Sequence, residues 1–167
     1  KKTKERATHL LGAVDRLRAG APAARSSHGR PGVSAAPPAY VLAACDPANP
    51  YGAALPWPAR PTASAEPDGS RGHQPARKAG AVVVLVDGAL ALYVERGGRS
   101  TLSYTDDDST LAAAAHALAE AVRRGALGRI TVERTDGDPL LGSGHPLGRA
   151  LKDAGFIATS RGLRLRR

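Results

Sequence analysis

The stretch at residues 79–104, AGAVVVLVDGALALYVERGGRSTLSY, limits the fold of this chain more than any other. Two runs rich in β-branched and aromatic residues flank Asp87-Gly88, the pair that a type I′ turn prefers because both of its central residues take positive φ. A third run follows Gly97, Gly98 and Arg99. A three-residue loop there sets Leu92 opposite Tyr104 and Val94 opposite Leu102, which gives one consistently apolar face, whereas a two-residue loop pairs Leu92 with Ser103. The apolar face favours the three-residue loop. In that register Tyr93 points outward beside Thr101 and Ser103, or packs under a following helix.

Other elements gather around this meander. AYVLAAC reads as a strand ending at Asp46. After Asp106, Asp107 and Asp108 a helix begins at Ser109, with Leu111, Ala114, Ala115, Leu118, Ala121 and Val122 on one stripe and Gly125 at its end. RITVER is the next strand and TDGDP its turn. HPLGRALKDAG is a second helix, because Pro146 is tolerated in a first turn and Gly155 suits the terminating position. FIATSRGLRLRR closes the chain as a strand pair turning near Arg161-Gly162. The pattern predicts an α+β fold over residues 39–167, a small, mostly antiparallel β-barrel or curled sheet with two helices. Ahead of it lie a short amphipathic helix, with Leu10, Leu11, Val14 and Leu17 on one face, and a flexible linker over residues 20–38.

Residues 45–58, CDPANPYGAALPWP, hold four prolines, a Trp, a Tyr and a single charge. The prolines forbid a helix or a central strand, and the aromatics favour an ordered loop over a linker. Such a loop suits a lid on the barrel or a docking surface for a neighbouring module. Residues 59–77 form a second Pro, Gly and Ser-rich stretch.

Charge is uneven. The chain has a formal net charge of +9, of which residues 1–30 carry +6, residues 31–80 carry +1 and residues 81–167 carry +2. A basic tail therefore sets the pI, and composition alone does not make the folded part a nucleic-acid footprint. One cysteine excludes an internal disulfide framework and a multi-thiolate zinc site. No apolar run nears the roughly 18 residues that a bilayer span needs, and the N-terminus lacks a signal-peptide core. A cytoplasmic chain without a membrane partner is expected. With no methionine even at position 1, the chain reads as a fragment or a processed product.

The machinery of several enzyme classes is missing: no G-x-x-x-x-G-K-[ST], no G-x-G-x-x-G after a strand, no H-E-x-x-H. Ser143 in LGSGHP has flanking glycines but not the strand-turn-helix of a nucleophile elbow. Asp106, Asp107 and Asp108, with His145 or His73, would make a metal site. Their place ahead of a helix reads instead as capping. His116 reads as a solvated helix residue, and Cys45, ending a strand, as a small hydrophobe. No catalytic residue, metal ligand or cofactor is assigned. GLRLRR alternates Leu163 and Leu165 with Arg164 and Arg166, so the guanidinium groups share an outer face, suited to phosphate or to blocking a sheet edge. Arg77, Lys78, Arg164, Arg166 and Arg167 are the candidate phosphate contacts, with Trp57 and Tyr51 the candidate stacking residues.

DPANPYGAALPWP, then GHQPARKAGAVVVLVDGALALYVERGG, then the terminal GLRLRR, resemble the C-terminal end of the large helicase-related (Lhr) proteins, and GAVDRLR at residues 12–18 fits as the join to a preceding module. The chain departs from that pattern at Gln74 and Ala76. The resemblance implies that residues 1–19 end a winged-helix-like module and residues 39–167 form the C-terminal one. It implies an accessory module of an ATP-dependent superfamily 2 DNA helicase linked to DNA repair. ATP and magnesium belong to a motor outside these residues, and the partners are single-stranded DNA or RNA:DNA hybrids and the parent's other modules. Two rivals stand beside it: a base-excision module related to DNA glycosylases, with Asp46 as a conceivable carboxylate, and a structural module for homo-oligomerisation.

Overall fold

The structure, a computed structural model, describes residues 36–61 and 74–165. The helix expected at residues 10–19, most of the linker, His73, Arg166 and Arg167 lie outside the described residues.

Six strands form one sheet in the order β1-β2-β3-β4-β6-β7. They are β1 (Ala39–Ala43), β2 (Val82–Val86), β3 (Ala89–Val94), β4 (Ser100–Ser103), β6 (Arg134–Thr135) and β7 (Asp138–Pro139). Every pairing is antiparallel except β4 with β6. A second sheet orders β5 (Thr131–Val132), β9 (Leu163–Leu165) and β8 (Phe156–Ala158), all antiparallel. Two helices appear among the described residues, α1 (Asp108–Arg123) and α2 (Pro146–Asp153). The α+β class and the two helices are as expected; the barrel is not. β1 and β7 end the large sheet without pairing to each other, and RITVER splits at Glu133, sending β5 to one sheet and β6 to the other.

The Asp87-Gly88 turn forms as its chemistry dictates, with φ of 50° and 81° and Val86 paired to Ala89. A bulge follows, since Val84 faces Leu92 while Leu85 faces Leu90, which leaves Ala91 extra in β3. Ala91 and Leu92 therefore both turn toward the helices. The next hairpin overturns the expected register: Leu92 pairs with Ser103, Tyr93 with Leu102 and Val94 with Thr101. The connection is a 3-10 turn at Arg96–Gly98, closed by a 2.9 Å bond from Glu95 N to the Ser100 carbonyl. Ser103 is tolerated in the core because its hydroxyl donates to the Thr105 carbonyl at 2.8 Å.

This register gives the meander two apolar faces. Val82, Val84, Val86, Leu92 and Val94 pack with Leu111, Leu118 and Val122 of α1 and Leu147 and Leu151 of α2. The small sheet adds Val132, Phe156, Leu163 and Leu165 to that core. Val83, Leu85, Leu90, Tyr93 and Leu102 face the other way, beneath Tyr51 and Trp57. All five residues of β2 are buried, as a continuous apolar run requires when both faces are covered. Tyr93 thus neither points into solvent nor lies under a helix.

The helix signals hold. Asp107 caps α1, accepting at Oδ2 from Thr110 N at 2.8 Å, Ser109 Oγ at 2.6 Å and Thr110 Oγ1 at 2.7 Å. Those donors hold its carboxyl down at about 2. Pro146 opens α2 behind an N-cap in which His145 Nδ1 accepts from Leu147 N at 3.1 Å. Asp108 also reaches Arg149 at 3.2 Å, an exposed pair of small energetic value.

Candidate nucleic-acid interface

The loop at residues 45–58 is built around Asn49, only 1% exposed. Its Nδ2 donates to the Ala44 carbonyl at 2.9 Å, and its Oδ1 accepts from Tyr51 N at 3.1 Å. With few backbone donors in a proline-rich loop, the carbonyls need outside partners, and Arg77 supplies them. Its guanidinium donates to the carbonyls of Asn49 at 2.7 Å, Asp46 at 3.0 Å, and Tyr51 and Cys45 at 3.2 Å each. The group expected at phosphate thus clamps the loop. Lys78 is exposed and lies 3.8 Å from Glu95.

Trp57 meets Tyr93 edge-on at 5.6 Å and stacks on Tyr51 at 6.4 Å. Tyr51 Oη accepts from Leu90 N at 3.3 Å, and Tyr93 Oη donates to the Ala76 carbonyl at 3.0 Å. Burial pushes the Tyr93 phenol up, and pushes that of Tyr104 up to about 12 against the pull of Arg60. Both candidate stacking residues are half-buried lids on the second face. Cys45 is exposed, contrary to its expected place in the core, because β1 ends two residues earlier. Asp46 spends Oδ1 on Ala48 N at 2.8 Å within the loop.

At the far side of the sheet Asp136 joins three segments. Its Oδ1 accepts from Ser103 N and from Arg60 Nη1, both at 3.1 Å, and its Oδ2 lies 3.7 Å from His145 Nε2. Asp136 sits in the β6–β7 turn at φ 55°, a conformation that Asp tolerates better than most residues. Ser143 Oγ donates to the Leu140 carbonyl at 3.0 Å, in a turn rather than an elbow. His116 is exposed on α1 as expected.

The cationic surface lies elsewhere. Arg96 and Arg99 from the 3-10 turn, Arg129 ahead of β5, Arg161 from the β8–β9 turn and Arg164 on β9 line one concavity of about 520 Å³, with Glu133 the one carboxylate in its lining. All five arginines are exposed, and none forms an ion pair among the described residues. Local packing brings them together. β5 pairs with β9, which puts Arg164 beside Thr131. The 3-10 turn lies so close to β5 that a Cβ on Gly98, at φ +87°, would stand 2.5 Å from Ile130 Cγ2 and 2.8 Å from the Thr131 carbonyl. A Cβ on Gly162 would collide with the Val132 carbonyl.

Of the described residues that the sequence singles out, this concavity gathers Arg164 alone. β9 is the middle strand of its sheet, so Arg164 is not an edge-blocking charge. Leu163 and Leu165 are buried, as the alternation predicts. Arg96, Arg99, Arg129 and Arg161 were not singled out from sequence. Their shared signal is an arginine next to a glycine outside the strands and α-helices, as in Arg96-Gly97, Gly98-Arg99, Gly128-Arg129 and Arg161-Gly162. No group of metal-binding side chains is present among the described residues, nor a helix long and apolar enough to cross a membrane.

No family model matches the chain. It is 48% identical over 133 residues, 77% of its length, to a protein of Mycolicibacterium smegmatis named Lhr helicase/probable uracil glycosylase. It is 36% identical over 124 residues, 74% of its length, to the Lhr helicase/uracil glycosylase of Escherichia coli. The chain spans only 8% and 7% of these two relatives. By its sequence this chain is a homologue of one short segment of the large helicase-related proteins, the Lhr family.

Proposed function

We propose that this segment is an accessory C-terminal module of an Lhr-type helicase, without a motor of its own, and that it holds nucleic acid by the phosphates along the arginine-lined concavity. One observation carries the reading: five exposed guanidinium groups share a single hollow with one carboxylate. Guanidinium forks match phosphate oxygens bidentately, and clustered cations gain from releasing counterions. The partner is single-stranded DNA or one strand of an RNA:DNA hybrid, in the setting of DNA repair in the cytoplasm. ATP and magnesium serve a motor in the much larger part of such proteins outside this segment. The Trp57 face, where the aromatics are already engaged with one another, is assigned to the parent's other modules.

The test is the salt dependence of binding. Affinity of the 167-residue chain for single-stranded DNA falls with salt, and the slope of log K against log salt drops by about 0.7 for each phosphate contact removed. The pair Arg161→Ala and Arg164→Ala should therefore flatten the slope by about 1.4. An unchanged slope defeats the reading, as does binding that vanishes when the eight cations of residues 1–30 are neutralised and the groove is left intact.

The relatives' names favour a second reading, in which the segment shares in uracil excision. Release of uracil from uracil-containing single-stranded DNA by the 167-residue chain is its measurement.

A further inference from the structure

The arginine-lined concavity has a neighbour. A narrower cleft of about 290 Å³ shares Arg96, Gly97 and Arg129 with it, and its remaining walls are Val82, Leu127, Ile130, Glu95 and two glycines, Gly80 and Gly128. One hollow is therefore cationic and the other largely apolar, and the same two arginines border both. We infer that the cleft receives one unstacked nucleobase of the strand whose phosphates occupy the arginine groove; this rests on the phosphate-binding reading above.

The chemistry of the walls supports that occupant. A base is flat and apolar on its faces and polar at its edge, and proteins that capture splayed-out bases stack them on aromatic rings or guanidinium planes. Arg96 and Arg129, shared with the arginine-lined concavity, supply such planes, and Val82, Leu127 and Ile130 supply apolar lining. Glu95, whose Oε1 also lies 3.8 Å from Lys78 Nζ, supplies an edge partner. A carboxylate is acceptor-only, so it matches the exocyclic amine of cytosine. The N3–H of thymine sits between two carbonyl oxygens that a carboxylate repels. Bases in a duplex stay stacked and paired, so the cleft selects a single strand and, within it, cytosine over thymine.

Gly128 provides a clean probe. A Cβ built there meets nothing within 4 Å, and its φ is an ordinary one, so a larger residue enters at the wall of the cleft without backbone strain. The 167-residue chain is titrated with equal-length strands of oligo-dC, oligo-dT and an all-abasic backbone, together with a duplex. The expected order is oligo-dC tightest, with about a tenfold advantage over the abasic strand that carries the same phosphates. Gly128→Leu should erase that advantage and leave the salt slope unchanged. Glu95→Gln, which keeps the shape of the side chain, should remove the preference for dC over dT. Equal affinity for the abasic and dC strands overturns the inference and leaves the arginine groove standing, as does a Gly128→Leu chain that keeps the full advantage. Failure of every strand to bind overturns both readings.

Discussion

The indole of Trp57 meets the phenol ring of Tyr93 at a centroid separation of 5.6 Å and an interplanar angle of 80°. Edge-to-face pairs of this kind add about 0.5–1.5 kcal/mol beyond the area they bury. Tyr93 is fully buried only because Trp57 and Tyr51 cover it, so the loop acts as the outer layer of the sheet's second face. Trp57→Ala should destabilise the chain by roughly 2–3 kcal/mol, below the range for a fully buried aromatic because Trp57 is only half-buried. Tyr93→Phe should cost about 1 kcal/mol, the worth of its bond to the Ala76 carbonyl. Urea unfolding monitored by Trp fluorescence for Tyr93→Phe, and by circular dichroism for Trp57→Ala, measures both.

Arg77 distinguishes a clamp from a phosphate contact. Its guanidinium serves four carbonyls from Cys45 to Tyr51, and an ammonium cannot reproduce that fork. Arg77→Lys is expected to lower stability by about 1.5–3 kcal/mol, the scale of hydrogen bonds to a charged group. The salt slope of DNA binding should stay as in the unmodified chain. A flattened slope with unchanged stability would return Arg77 to the phosphate.

The parts of this fold that were legible in the sequence are those decided by local backbone chemistry. Asp87-Gly88 must turn because few other pairs take two positive φ values, and Asp107 and Pro146 mark helix starts through hydrogen bonds within three residues. The β3–β4 register was not legible, for a physical reason. A period-two pattern chooses a register only when one face is apolar and the other polar, and here Trp57 and Tyr51 make the second face apolar too. Closure was equally hidden, because an open sheet and a barrel share the same alternation. The arginine groove escaped for a third reason: Arg96 and Arg164 stand far apart in the chain and meet only through the β5–β9 pairing and the close approach of Gly98.

Acid should weaken the cap of α1 in a narrow window. The Asp107 carboxyl is held at about 2, first by the Ser109 hydroxyl and then by Thr110, against an ordinary value of 3.8. A carboxyl depressed in the folded state stabilises fully above its unfolded pKa and loses that contribution as pH falls through the folded one. The contribution is thus complete above about pH 4 and gone below about pH 2. Asp107→Ala should lower stability at neutral pH and flatten the stability curve across this window, as read from urea midpoints. A variant whose acid limb parallels that of the unmodified chain rules out the cap as its source.

Asp136 should behave as a joint. Its side chain is 9% exposed and binds Ser103 N and Arg60 through one oxygen while His145 faces the other. Asp136→Ala strands the Arg60 guanidinium and the Ser103 amide together, at a cost of about 2–4 kcal/mol. Asp136→Asn keeps an acceptor for Ser103 and tolerates the positive φ of the turn, so about half of that loss is expected. Thermal unfolding of the two variants in parallel separates charge from hydrogen bonding. Equal losses would mean that the charge itself contributes everything.

Gly162 couples the fold to the groove most directly. A methyl group there runs into the Val132 carbonyl, and relief requires β9 to move away from β5. That motion would carry Arg161 and Arg164 away from Arg96 and Arg129, which line the same concavity. Overpacking of this kind costs about 1–3 kcal/mol, so Gly162→Ala should stay folded at low temperature. Under those conditions it should bind single-stranded DNA with a flatter salt slope although every arginine is retained. Loss of charge and loss of arrangement are thereby distinguished, because the net charge of the variant is unchanged. A slope equal to that of the unmodified chain would show that the tail and scattered surface cations do the binding, and that the spacing of the five arginines is incidental.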